Sequence, residues 1–222
     1  MVKKMGQGKS KAESKANAAT ANQDKGNPTE STEKITINEN DWMAWAEDPE
    51  PFQAALNGTK MPEISQADGH HYTDEEIDRI KKVGPEIQRI AESSTVPEKV
   101  LYRGEVYDSL AEAQNKYKVG ATVTNNKLTS YATSADIAET YAGANIDFMP
   151  RGSVKVVIEN TNVSKKKGSV GVKTDPLGAG GSYEVISPKG MESKVYAVAY
   201  DKGANTLRVR MSNSAVAMKK RK

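Results

Sequence analysis

Cysteine is absent from the 222-residue chain. Its absence excludes a disulfide framework, a thiolate zinc site and a cysteine nucleophile, and redox compartment cannot be read from it. Histidine is nearly absent too. The two residues, His70 and His71, are adjacent and read as loop residues, which suits neither a helical metal pair one turn apart nor a tight chelate. No metal is therefore expected. No apolar run approaches bilayer-spanning length, and no hydrophobic segment follows the N-terminal lysines. The expectations are cytoplasmic synthesis, no secretory signal and no membrane partner. Charge of one sign is also scarce: 32 Lys and Arg against 29 Asp and Glu leave a net +3, too mild to require a nucleic-acid partner. Hydrophobic residues make up 36% of the chain and mean hydropathy is -0.68, low values for a chain that packs throughout.

The N-terminus supplies the part expected not to pack. Residues 1–34 are mainly Lys, Ser, Ala, Asn, Gln, Gly and Thr, with almost no large apolar residue after Met5. Such a stretch buries too little surface to offset the entropy of ordering it, so it reads as a disordered basic tail. Residues 217–222, ending Lys219-Lys220-Arg221-Lys222, read as a second basic tail. Residues 35–216 form the expected domain, with a helical lobe at 35–96 and a β-rich core at 97–216.

In the lobe, Asp41 is placed to cap a short helix carrying Trp42, Met43 and Trp45, and a second helix runs near Pro51 to Leu56. The tryptophans read as packing anchors. Thr73 and Glu76 are spaced as a capping box, with Ile77, Ile80 and Val83 on one face behind it. Gly84-Pro85 is expected to break that helix, with Ile87, Ile90 and Ala91 in a separate one. After Pro97 the period moves towards two. Strands are expected at Val100 to Gly104, Ala121 to Thr124, Leu128 to Thr133, Ser153 to Ile158, Val170 to Lys173, Glu184 to Ser187, Lys194 to Tyr200 and Thr206 to Met211. Short helices follow Ser109 and Ser134. Lys165-Lys166-Lys167-Gly168 reads as a basic turn, and Thr174 to Gly181 as a flexible loop. The class is α+β, with mostly antiparallel sheets.

Three pieces stand in order: Leu101-Tyr102-Arg103-Gly104, then Leu128 to Ser134 leading into a helix through Ala138 and Tyr141, then Ser182-Tyr183-Glu184. An arginine on a strand, a hydroxyl-rich strand entering a helix, and a later strand-borne glutamate resemble the arginine–serine–glutamate class of mono-ADP-ribosyltransferases. The likeness covers Val100 to about Val209 and includes bacteriophage-encoded and bacterial toxin-type members, whose final strand reads glutamate, two apolar residues, then proline and glycine, as in Glu184 to Gly190. It implies an ADP-ribosyltransferase-like fold, a small helical lobe followed by a two-sheet β core. It also implies NAD as co-substrate, a macromolecular acceptor such as a host protein, and carriage in a phage particle or delivery to a host cell.

The chemistry of these side chains agrees. Breaking the bond between nicotinamide and ribose develops positive charge on the sugar, which a carboxylate opposite it stabilises; Glu184 is the candidate. Arg103 offers a planar, permanently charged fork for a phosphate, with a surface salt bridge to Glu105 as the plainer alternative. Gly104 has no Cβ, so its backbone can approach the nicotinamide amide closely. Ser130, Thr133 and Ser134 are placed to orient the glutamate or the ribose, although hydroxyls at a strand-to-helix junction also serve as caps. Tyr141 belongs either against the nicotinamide or in the helix core.

Two positions depart from the family pattern. Ala132 stands where the first serine of a Ser-Thr-Ser motif belongs, so the bond that serine makes to the glutamate must come from another hydroxyl or be absent. Ser182 stands two before the glutamate, where arginine-modifying relatives carry glutamate and asparagine- or glutamine-modifying ones carry glutamine. It is placed to hydrogen-bond an acceptor but supplies no charge. Acceptor identity stays open, NAD hydrolysis included. Two alternatives use the same residues differently: a non-enzymatic protein holding RNA, DNA or a particle through its basic tails, and an inactive transferase fold kept for interaction.

Overall fold

The computed structural model describes residues 35–94, 96, 98–161, 172–174 and 184–213. All of them belong to one compact unit, Ile35–Lys222. The expected tails at 1–34 and 217–222, the Lys165 to Gly168 turn, most of the Thr174 to Gly181 loop, and Ser182 lie outside the described residues.

The helical lobe is built from α1 (Glu39–Glu47), α2 (Glu50–Asn57) and α3 (Asp74–Ser93). The cap of α1 is Asn38, not Asp41: the Asn38 side chain accepts from the Asp41 N–H, and Asp41 reaches back to the Asn38 N–H at 2.8 Å. The same reciprocal exchange joins Thr73 and Glu76 at the start of α3, as their spacing indicates.

The expected break at Gly84-Pro85 does not occur. Pro85 removes one ladder bond, to the Lys81 carbonyl, yet α3 runs through it as a single 20-residue helix. Packing on both sides of the proline outweighs that loss: Val83 and Ile87 are fully buried against Trp45 and Phe52. Gly84 lets α2 come close, since a Cβ there would sit 2.7 Å from the Phe52 carbonyl oxygen. Trp45 is 1% exposed and meets Phe52 edge-on with centroids 5.8 Å apart, as a packing anchor should.

The strands are β1 (Val100–Tyr107), β2 (Thr122–Thr124), β3 (Thr129–Ala132), β4 (Val154–Thr161), β5 (Val172–Thr174), β6 (Glu184–Ser187), β7 (Glu192–Asp201) and β8 (Thr206–Ser212). Helix α4 (Leu110–Lys116) follows β1, and α5 (Ala135–Ile146) follows β3. The sheet order is β2-β7-β8-β4-β1-β3-β6-β5, antiparallel throughout except where β4 meets β8.

One junction differs from the rest. β1 pairs β4 along all eight of its residues, but it pairs β3 only at Tyr102↔Ala132. The expected two-sheet core is thus realised as two strand groups, β2-β7-β8-β4-β1 and β3-β6-β5, joined at a seam one residue pair long. One face of the larger group carries the main core, including Leu101, Val156, Ile158, Leu207 and Val209, closed by Ala113 and Tyr117 from the α4 segment. On the opposite face α5 lies against β1. The helical lobe supports the smaller group through two glutamines that imitate backbone pairing. Gln53 bonds both the N–H and the carbonyl of Leu128 at the head of β3, and Gln88 bonds both groups of Lys189 just beyond β6.

Candidate active site

Alternation along β1 puts Leu101, Arg103, Glu105 and Tyr107 on one face and Tyr102, Gly104 and Val106 on the other. The strand continues three residues past the expected end at Gly104, which adds Glu105 and Tyr107 to the face of Arg103. A cleft of about 620 Å³ opens along this stretch and is lined from both faces, by Arg103, Glu105, Tyr107, Lys116 and Tyr117 on one side and Gly104, Tyr141, Asn145 and Met149 on the other. It exists because β3 leaves β1 after Tyr102.

The Arg103 side chain spans that opening. Its Nη1 donates to the Ser130 carbonyl at 2.8 Å, a bond to β3 where the strand ladder has ended, and its Nε donates to Glu105 at 2.8 Å. The salt bridge weighed for Arg103 is therefore present, though as part of the cleft wall: the two side chains are 23% and 18% exposed.

Glu105 also accepts from Tyr117 Oη at 2.7 Å and Tyr107 Oη at 2.8 Å, with Lys116 Nζ at 3.4 Å. Burial pushes the Glu105 carboxyl up, but Arg103, Lys116 and the Tyr117 hydroxyl outweigh it and hold the pKa at about 2. Burial likewise works against the Arg103 charge, and the Glu105 carboxylate more than compensates, holding the guanidinium above its ordinary value.

Glu184 opens β6, half-buried, directly opposite Ala132, and Ala132 is opposite Tyr102. Register therefore sets Tyr102, Ala132 and Glu184 in one line across three strands and on one face. Arg103 is the next residue along β1 and belongs to the other face. The seam between β1 and β3 is the feature that relates the two.

The remaining candidates divide. Tyr141 lies on α5, 62% exposed, on the cleft wall. Gly104 is buried and has a packing role the sequence did not suggest: a Cβ would sit 2.1 Å from the Ala138 carbonyl oxygen, so α5 reaches the sheet only because this residue has none. Ser130 contributes its carbonyl to Arg103. Thr133 and Ser134 occupy the turn from β3 into α5, and Ser134 is the α5 N-cap residue without a side-chain capping bond. The residues missed were Glu105, Tyr107, Lys116 and Tyr117. Only the first two had a readable signal, as polar positions on the apolar face of a strand.

Compared by sequence, the chain matches no family model and no curated protein. Compared by structure, it is similar to the Vis toxin, an ADP-ribosyltransferase from Vibrio splendidus, at 15% identity and a TM-score of 0.50, over 85% of this chain and 79% of Vis. The fold is that of an ADP-ribosyltransferase toxin. The ATR domain of Salmonella SpvB (13% identity, TM-score 0.48, covering 80% of this chain and 98% of that one) also aligns. So does C3larvin toxin, an ADP-ribosyltransferase from Paenibacillus larvae (18% identity, TM-score 0.44, 81% and 88%). In this ADP-ribosyltransferase fold, no group of three or more His, Asp or Glu is placed to hold a metal among the described residues, and no described helix is long and apolar enough to cross a membrane.

Proposed function

We propose that this protein transfers ADP-ribose from NAD to a macromolecular acceptor, with a host protein as the favoured class, and releases nicotinamide. The observation that carries the reading is the arrangement at the seam. A charged arginine fork spans a cleft between two strand groups, and a glutamate opens the strand next but one, in line with the residue before that arginine.

In the reaction the bond from ribose C1′ to the nicotinamide nitrogen breaks and nicotinamide leaves with the electron pair. The sugar becomes oxocarbenium-like, and an acceptor nucleophile then bonds C1′ and gives up its proton. Arg103 retains donors beyond those it gives Glu105 and Ser130, and these suit a phosphate oxygen of NAD. Glu184 faces the sugar. At ~4 Å and an effective dielectric of ~20, its charge stabilises the transition state by about 4 kcal/mol, on the order of a thousandfold in rate. Tyr141 supplies an aromatic wall, Gly104 holds that wall in place, and Ser130, Thr133 and Ser134 orient the ribose or the glutamate. Ser182 meets the acceptor.

A polyanion-binding role gains less support. Among the described residues the cleft carries three cations (Arg103, Lys116, Lys127) and three carboxylates (Glu105, Asp108, Glu112), not the one-sign groove that binds a phosphate backbone.

The test incubates full-length protein with labelled NAD and a bacterial or eukaryotic lysate, and follows both nicotinamide and labelled acceptor. Glu184→Gln should lower nicotinamide release roughly a thousandfold while leaving NAD binding measurable. Wild-type protein that releases no nicotinamide with or without lysate overturns the proposal.

A further inference from the structure

Of the cleft cations that the catalytic reading leaves without a task, Lys116 is the one held beside Arg103. It ends α4, and its Nζ reaches the same carboxylate as Arg103: Arg103 Nε is bonded to Oε1 of Glu105, and Lys116 Nζ lies 3.4 Å from Oε2. Its ammonium lies over two aromatic rings, with Nζ 5.1 Å from the Tyr107 centroid and 5.0 Å from that of Tyr117. The Tyr107 hydroxyl is a further close partner.

These contacts fix the ammonium in one place without enclosing it. The side chain remains 43% exposed and lines the cleft. A lysine on a surface helix ordinarily swings free in water, and here its contacts with Glu105 and the two tyrosines hold it. One carboxylate thus holds two cations side by side. Their summed charge exceeds its own by one, and both still have unused donors. A ligand with two linked anionic groups fits that arrangement; a single carboxylate or a sugar does not use it.

We propose that Lys116 is a second phosphate-binding residue, forming with Arg103 a two-cation clamp on the diphosphate of the dinucleotide, with Glu105 as the positioning residue that spaces them. The clamp rests on NAD being the substrate, but it makes a claim of its own, namely affinity for a diphosphate whether or not the glycosidic bond is broken. Tyr107 and Tyr117 act through Glu105 and touch no phosphate. The clamp also explains a carboxylate in an anion site, where one would otherwise oppose binding. Without Glu105, two bare cations at this spacing would repel and the lysine would be free to turn away.

The test uses the full chain with two probes, ADP for binding by calorimetry and NAD for nicotinamide release. Lys116→Met keeps an unbranched apolar side chain and removes the charge. Its melting temperature should stay near that of wild type. ADP affinity should fall about tenfold, and KM for NAD should rise by a similar factor, with the smaller part of the effect in kcat. The slope of log affinity for ADP against log salt should become shallower. Lys116→Arg, which keeps the charge, should recover most of the ADP affinity.

Four outcomes decide. ADP binding that weakens in Lys116→Met and recovers in Lys116→Arg, with nicotinamide released by wild type, supports clamp and reaction together. The same binding pattern without nicotinamide release by wild type supports the clamp and removes the reaction. Nicotinamide release with unchanged ADP affinity and KM in a folded Lys116→Met removes the clamp alone. Wild-type protein that binds no ADP removes the clamp outright.

Discussion

Two of the arginine–carboxylate pairs among the described residues, Arg79–Asp41 and Arg103–Glu105, stand in contrasting settings. In the helical lobe, Arg79 holds Asp41 through Nε at 2.8 Å and Nη2 at 2.5 Å and also donates to the Thr36 carbonyl, while Asp41 accepts from the Asn38 N–H. The Arg79 contacts tie α1 and the segment before it to α3. In the cleft, Arg103 uses Nε alone on Glu105 and one terminal nitrogen on Ser130, and the rest of its fork faces the opening. The first pair joins chain segments. The second lines a cleft, where we propose that its remaining donors meet a phosphate. The contrast teaches that an ion pair is read by where its remaining donors go, because pairing alone occurs in both.

The two lobes also each rest on a glycine at a helix contact, and these substitutions should give the largest effects. Gly104→Ala drives a Cβ into the α5 backbone on a strand that cannot yield, so we expect a stability loss of about 3 kcal/mol. KM for NAD should rise as well, because α5 carries the Tyr141 wall. Gly84→Ala meets the Phe52 carbonyl less closely and gains about 1 kcal/mol of helix propensity, leaving a net loss of about 1 kcal/mol. Its NAD kinetics should be those of wild type. Urea unfolding and steady-state kinetics on both proteins check the pair, and an equal effect on KM would dissolve the distinction between the lobes.

The arginines themselves come next. Arg79→Met strands a carboxylate that is only 7% exposed. The loss should be about 2–3 kcal/mol, below that of a fully buried pair because Arg79 is 38% exposed. Kinetics of the folded fraction should not change. Arg103→Met leaves Glu105 with Lys116 and two tyrosine hydroxyls, so the stability loss should be smaller, about 1–2 kcal/mol, while KM for NAD rises about tenfold or more. An unchanged KM would take Arg103 out of the site.

Acid sharpens the same contrast. Glu105 is held at about 2 against an ordinary 4.5. A depressed pKa in the folded state means that the stabilisation is complete above about 4.5 and is lost as pH falls from there towards 2. Chemical denaturation at stepped pH should therefore show wild type weakening through that window, with a shallower slope in Glu105→Gln. A slope identical in both proteins would mean that other carboxylates set the acid limb.

Local chemistry was legible wherever neighbours in sequence decide it. The Thr73–Glu76 exchange, the strand opening at Glu184 and closing before Pro188, and the helix after Ser134 all follow from short-range rules. Asn38 was missed because Asn and Asp are both good caps, and the reciprocal bond that selects between them needs the backbone path. Pro85 was misjudged because the cost of a proline is local, whereas what offsets it, burial of Val83 and Ile87, comes from α1 and α2. The seam was not legible at all. Nothing in the period of β1 says that its partner leaves after Tyr102, and Lys116 and Tyr117 reach Glu105 only once α4 folds back along the strand. The residues nearest the proposed chemistry were visible as a motif, and the wall that shapes the cleft was visible only in three dimensions.

The smallest stability effects should come from two of the helix caps, Thr73 and Ser134, which can separate structure from function. Thr73 Oγ1 accepts from the Glu76 N–H at 3.2 Å, and the Thr73 N–H donates to the Glu76 carboxylate in return. Thr73→Ala should cost about 1 kcal/mol. Ser134 holds the equivalent place before α5 but makes no side-chain capping bond, so Ser134→Ala should cost well under about 0.5 kcal/mol. If the Ser134 hydroxyl instead serves the ribose or the glutamate, its removal should lower kcat/KM by about tenfold, while Thr73→Ala leaves kcat/KM unchanged in the folded protein. A hydroxyl that costs nothing in a urea melt and an order of magnitude in turnover belongs to the site. One that costs stability and no turnover is a cap whose bond forms only in solution, and Ser134 would then leave the list of residues that meet NAD.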